Sequence, residues 1–238
     1  MKIVITQPTF LPWLGYFDQL RIADVVVLLD SVQFARRSWQ NRNRIINRKG
    51  EEILITLPIK KVPRETPIKE INVSDSFCFS RFLRMIKDSY KNTNYSRECV
   101  ELIEKSFSKN IYKKNIFLRD INRQFIEDIL ENSSIGCKIF WSSDIENQIS
   151  YNTPSERLLE ICKFFNANIY ISAPGSKDYM KSELVKFEKE GVLVKWHSFV
   201  NYSYIIGNSF TPYMSVIDYI SHNPINTLST YLQKCSKF

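Results

Sequence analysis

Three stretches of the chain gather side chains able to hold or move charge. The first is "QPTFLPWLGYF", residues 7–17. Pro8 restricts Gln7 to extended backbone, and Pro12 does the same to Leu11. Gly15 allows the start of the following helix to approach another group closely. A stiff loop thus presents the Gln7 amide near free backbone N–H groups, which suit an anion. The plain alternative is a tight connection with Trp13 as a core anchor.

The second stretch is "DSVQFARRSWQNRNRI", residues 30–45. It joins an acid, amides, an indole and four arginines: Arg36, Arg37, Arg42 and Arg44. Arginine forks match phosphate or carboxylate through paired donors. Trp39 offers a face for a base or sugar ring, or fills the core. Gln33 and Asn41 add amide donors and acceptors. Asp30 follows an apolar run directly, which suits a general base, a partner for a sugar hydroxyl, or a cap for the next segment. The third stretch is "SAPGSKDYM", residues 172–180. Its Pro-Gly turn exposes Ser172, Gly175 and Ser176 at an expected strand end, with Lys177 in reach of a phosphate. The glycine spacing is not that of a P-loop, and no G-x-G-x-x-G occurs.

Of the two histidines, His197 falls at an expected strand end and is a candidate acid or base. His222 reads as a helix-terminal residue. Neither an HExxH nor a Cys/His cluster is present, so no dedicated metal site is expected.

Composition bounds the rest. The 238 residues carry 33 basic and 25 acidic side chains, a net charge of +8. A basic field favours phosphorylated small molecules; no recognised nucleic-acid module accompanies it, so no specific nucleic-acid partner is expected. Five cysteines, an odd number without CxxC, fit a reducing compartment. No apolar run approaches the roughly 20 residues of a membrane span. The expectation is a cytoplasmic protein that does not insert into membranes.

The elements that must position these residues follow from pattern. "KIVIT" at 2–6 and "DVVVLLD" at 24–30 read as buried parallel strands around a helix in "LGYFDQLRIA", a βαβ opening. "EEILITLPI" is another strand, and "TPIKEINV" an extended edge segment. Apolar residues then recur at helical spacing over 77–90, 97–107 and 112–132, a mainly helical subdomain at about 77–133. "CKIFWSSD" returns to strand. "TPSERLLEICKFF" is a helix capped by Thr153, with Pro154 in its first turn and Glu156 completing a capping box. A strand in "NANIYISAPG", a helix from Tyr179 to Lys189, the strand "VLVKWHSF" and two last helices complete the chain. The fold class is α/β: a mostly parallel, open Rossmann-like sheet flanked by helices, with a helical middle insertion.

Four blocks, "QPTFLPWLGYF", "LLDSVQFARRSWQNRNRI", "YISAPGSKDYM" and "FTPYMSVIDY", resemble the successive motifs of the WbqC-like family, and the resemblance spans nearly the whole chain. It implies a single α/β domain over 1–238 and a place in bacterial surface-polysaccharide (O-antigen-like) biosynthesis. The family pattern carries over at Gln7, Pro8, Pro12, Trp13, Gly15 and Tyr16, then at Asp30, Gln33, Trp39, Asn41 and Arg42. Further on it covers Gly175, Tyr179, Phe210, Pro212, Ser215 and Asp218. Where the family often shows His-Pro-x-Tyr-x-Gln, this chain has "FVNYSY": Tyr202 is kept, while Phe199 and Tyr204 replace the histidine and glutamine.

The resemblance implies transfer of an acyl or aminoacyl group to the amine of a nucleotide-activated amino sugar. The donor would be an acyl or aminoacyl thioester, and the partners an acyl carrier protein or other polysaccharide-pathway enzymes. A second reading is a nucleotidylyltransferase using a nucleoside triphosphate with Mg, because the first loop is similar to the phosphate-binding loop of that superfamily. Pro12, Trp13, Gly15 and Tyr16 occupy the corresponding places, but both histidines of that loop are absent. A third reading is a non-catalytic scaffold of the assembly pathway.

Overall fold

The computed structural model describes the backbone of residues 1–205 and 210–238; the Tyr179 side chain lies outside the description. The chain opens with β1 (Lys2–Thr6), α1 (Leu14–Arg21) and β2 (Val25–Leu28). A separate hairpin follows, β3 (Arg42–Ile46) and β4 (Glu52–Thr56). Three helices, α2 (Phe79–Ser89), α3 (Ser96–Ile111) and α4 (Leu118–Asn132), lead to β5 (Lys138–Trp141) and a single turn, α5 (Ser142–Ile145). Then come α6 (Pro154–Phe164), β6 (Ile169–Ser172), α7 (Lys177–Met180), α8 (Leu184–Lys189) and β7 (Leu193–Trp196). Helices α9 (Val216–His222) and α10 (Leu228–Cys235) end the chain.

Five strands form one sheet in the order β5-β2-β1-β6-β7, every pairing parallel. The apolar runs explain why β1 and β2 take its centre. Val4, Val26 and Leu28 face one core, and Ile3, Ile5, Val25 and Val27 face a second. A strand alternates its side chains between faces, so only a strand buried on both sides needs an unbroken apolar run. One face is covered by α1, α9, α10 and the helical insertion; the other by α6 and α8, through Leu158, Leu159, Ile161 and Phe187. The sheet reverses direction at β1, so β2 and β6 leave it on opposite sides. In open α/β sheets ligands collect beyond the carboxyl ends of the strands at such a point, which here falls at Gln7 and Ser172.

The insertion begins and ends within a few residues of the sequence expectation, except that α4 starts at Leu118 rather than 112. Its apolar residues join the same core as the sheet. Phe107 stacks on Phe79 and Phe82 at 5.4 Å each, and Phe10 of the first loop meets the Phe107 edge at 6.2 Å. Helix α6 starts as read. Thr153 Oγ1 accepts the Glu156 N–H at 3.2 Å, and the Glu156 carboxylate accepts the Asn152 N–H at 2.9 Å, one residue earlier than a standard capping box.

"EEILITLPI" is a strand as read, β4, which pairs antiparallel with β3 and stays outside the parallel sheet. Two readings need correction. "TPIKEINV" is a 3₁₀ turn at Ile68–Glu70 flanked by isolated bridges rather than an extended edge. The helix expected from Tyr179 starts at Lys177 and is split in two by a 3₁₀ turn at Lys181–Glu183.

Candidate functional site

The first loop and the arginine-bearing segment are sewn together by amides. Phe10 N donates to the Trp39 carbonyl at 2.8 Å. Gln40, buried, donates from Nε2 to Gln7 Oε1 at 2.7 Å and accepts the Ala35 N–H at 3.0 Å. Asn43 Nδ2 reaches the carbonyls of Phe10 and Leu11 at 3.0 and 2.8 Å. Asn122 of α4 reaches those of Pro8 and Gln40 at 3.2 and 2.8 Å. These contacts satisfy carbonyls that a stiff, buried loop leaves without helix or sheet partners. Leu11 itself is held at φ 43°, a left-handed backbone that this network over-determines.

Between the two segments lies a half-open pocket of about 220 Å³ lined by Thr9, Trp13, Tyr16, Trp39, Asn43, Arg44 and Tyr213. Its shape depends on Gly15. The Trp13 indole folds back over the first turn of α1, and a Cβ on residue 15 would sit 2.1 Å from the ring. Trp13 is fixed from outside by Phe199, edge-on at 5.5 Å, and by Tyr213 at 5.4 Å. On the opposite wall Trp39 is 47 % exposed, with the Arg42 and Arg44 guanidinium carbons 6.0 and 5.5 Å from its ring centre. Arg44 also donates to Glu52 at 3.3 Å and to the Tyr213 carbonyl at 3.4 Å. Arg42 donates to the Arg37 carbonyl. Tyr16 is buried, donates to the Gln7 carbonyl at 3.2 Å, and keeps its proton, because burial pushes its phenol well above the usual range.

The remaining candidates fall elsewhere. Gln33 and Arg36 are bound to the backbone carbonyls of Arg64 and Val62, both at 2.8 Å. Arg37 is exposed at φ 59°, and Asn41 is buried with Nδ2 on the Leu57 carbonyl at 3.0 Å. Ser172 and Ser176 bond each other at 2.6 Å and are buried, whereas Gly175 and Lys177 are exposed. Tyr202 is exposed and accepts from Tyr231 through its carbonyl.

Neither catalytic candidate lines the pocket, and each has a structural partner set instead. Asp30, fully buried at the end of β2, accepts from Ser142 Oγ at 3.1 Å, Ser143 N at 3.0 Å, Ser143 Oγ at 2.8 Å and the Arg119 guanidinium. Two neighbouring contacts close the knot: Ser142 Oγ accepts the Asp30 N–H, and Arg157 of α6 donates to Ser31. A carboxylate this fully engaged ties β2, β5 and α4 together and has no lone pair left for a substrate proton. His197, 2 % exposed, places Nε2 2.8 Å from Asp18 Oδ2 and Nδ1 3.4 Å from the Gln19 amide nitrogen. Asp18 also pairs with Arg21 at 2.8 Å, so this histidine pins the end of β7 to α1.

Sequence reasoning did not bring forward Arg119 and Arg157, which reach the strand ends from helices, nor Tyr213, set at φ 64° on the pocket rim. A basic residue in the first turn of α6, where the helix dipole disfavours it, was the available signal for Arg157. Asp218 was visible only as a motif position. It is buried under a second cavity of about 730 Å³, accepts the Tyr204 hydroxyl at 2.5 Å, and so meets the tyrosine that replaces the family's glutamine.

The model of the WbqC-like protein family matches residues 7–230. The chain belongs to the WbqC-like family. That family is linked to polysaccharide biosynthesis. A relative is the Mycobacterium tuberculosis (strain ATCC 25618 / H37Rv) protein "Uncharacterized protein Rv1507c", 24 % identical over 220 residues, which are 91 % of each chain. No solved structure matches the chain significantly. Among the described residues no helix is long and apolar enough to cross a membrane, and no group of three or more His, Cys, Asp or Glu side chains is placed to hold a metal. The WbqC-like motifs around Gln7 and Trp39 are thus the two halves of one pocket, although Gln7 itself holds the halves together and does not line the cavity.

Proposed function

We propose that the protein transfers an acyl or aminoacyl group to the amine of a nucleotide-activated amino sugar during surface-polysaccharide synthesis. The observation that carries this reading is the convergence of Trp13, Trp39 and Arg44, from two distant segments, on one solvent-reachable pocket. A cavity of about 220 Å³ suits one ring of such a ligand rather than the whole molecule. The exposed Trp39 face takes a base or sugar ring. Arg42 and Arg44, already beside that ring, meet the diphosphate. In the transfer, the sugar nitrogen attacks the donor carbonyl carbon. The C–N bond forms, the carbonyl–sulfur bond breaks, and the amine's proton passes to the departing thiolate, which leaves an amide and a free thiol. Asp30 and His197 lie outside this pocket, so in this reading the part of this chain is to bind and orient the acceptor.

Calorimetry with a panel of nucleotide-linked amino sugars tests the reading. One member of the panel binds, and Trp39→Ala and Arg44→Ala each weaken that binding about tenfold, close to the loss of one stacked ring or one charged hydrogen bond. Silence across the panel rejects the nucleotide sugar.

A further inference from the structure

A buried carboxylate oxygen without a donor is rare in native proteins and asks for an explanation. Asp218, in the first turn of α9, is 1 % exposed. Its Oδ2 accepts the Tyr204 hydroxyl at 2.5 Å, but its Oδ1 has no hydrogen-bond partner among the described residues. The Tyr90 hydroxyl lies near the same carboxylate and also lacks a partner of normal geometry. Both groups line the second cavity, about 730 Å³, which Asn223 closes on one side and the β3–β4 turn borders with Arg48 and Lys49. None of the ion pairs among the described residues includes Asp218. His222 stands beside it, yet its Nδ1 faces the Asp218 backbone carbonyl at 2.8 Å, not the carboxylate.

We infer that this cavity is a second binding site, for a small zwitterion whose primary ammonium sits on Asp218 Oδ1 and whose anionic end meets Arg48 and Lys49. The charges choose the ligand. A hydroxyl would supply the missing hydrogen bond but leave a desolvated negative charge uncompensated, whereas an ammonium supplies both. A divalent cation is a poor occupant, because one carboxylate is far short of the oxygen ligands such ions require. A purely cationic ligand would be repelled at the mouth by the two basic side chains. The site is independent of the Trp39 pocket and stands whether or not that pocket takes a nucleotide sugar.

Calorimetry on the full chain with three probes separates the parts: glucosamine 6-phosphate, glucose 6-phosphate and glucosamine. Glucosamine 6-phosphate binds. Exchanging its amine for a hydroxyl weakens binding at least about tenfold, the scale of one charge-assisted contact. Removing the phosphate weakens it less, by about fivefold, since the rim pair is solvated. Asp218→Asn abolishes the preference for the amine, and Arg48→Ala with Lys49→Ala abolishes the preference for the phosphate. Trp39→Ala leaves all three affinities unchanged. Equal affinity for the amine and hydroxyl sugars in the wild-type chain overturns the inference without any variant, as does no binding of glucosamine 6-phosphate at millimolar concentration. An effect of Trp39→Ala on these probes overturns it too, by placing them in the other pocket.

Discussion

Two aspartates, both at most 1 % exposed, occupy opposite situations. Asp30 sits at the end of a central strand with donors from Ser142, Ser143 and Arg119 around both oxygens. Asp218 sits in a helix below a cavity, with the Tyr204 hydroxyl on one oxygen, the Tyr90 hydroxyl beside it and no ion pair among the described residues. Burying a charge is tolerable when its hydrogen bonds and counter-ion are supplied locally. Asp30 therefore needs nothing from outside and serves the fold. Asp218 is left at a cost, and burial raises its carboxyl above the usual range. Burial alone does not mark function; incomplete satisfaction of a buried charge does.

The contrast can be broken by substitution, beginning where the loss is greatest. Asp30→Ala strands the Arg119 guanidinium and two serines, and lowers unfolding free energy by about 3–5 kcal/mol in urea titration. A loss under about 1 kcal/mol would show that Asp30 is not a structural hub. Tyr204→Phe strips Asp218 of its one donor and costs about 2 kcal/mol by the same measurement.

Asp218→Asn should go the other way. A carboxyl whose folded value is raised favours the protonated form in the fold. Its penalty is absent below the ordinary carboxylate range and grows as pH rises through the folded value. Relative to wild type, the asparagine variant thus gains stability as pH rises from the ordinary carboxylate range to the raised folded value, and the gain is level above it. A difference that stays flat with pH would place a compensating charge on Asp218. Least of all, Trp39→Ala changes stability by no more than about 0.5 kcal/mol, as for other exposed side chains, while nucleotide-sugar affinity falls.

The fold was largely legible because its central strands are unbroken apolar runs and its crossover helix carries its own cap at Thr153. The hairpin escaped for a physical reason. Arg42–Ile46 opens with three polar residues, two of them charged, before two isoleucines, and only the pairing with Glu52–Thr56 makes it a strand. At the site, the sequence indicated the right two segments but not the duties within them. Gln7, Asn41 and Asn43 resemble ligand-binding amides, yet Asn41 and Asn43 donate to loop carbonyls and Gln7 accepts from Gln40, and which groups need them is a property of the folded loop. His197 and Asp30 carry the chemistry of acid–base catalysis in isolation; the partners that engage them in the fold come from 179 and 112 residues away.

The indole of Trp13 touches Phe199 and Tyr213, two residues close to two hundred positions downstream, while lying on its own helix at Gly15. It is therefore an optical reporter built into the chain. Its emission registers the docking of the carboxyl-terminal third onto the amino-terminal loop, and a ligand entering from the Trp39 side will change the same signal without any added dye.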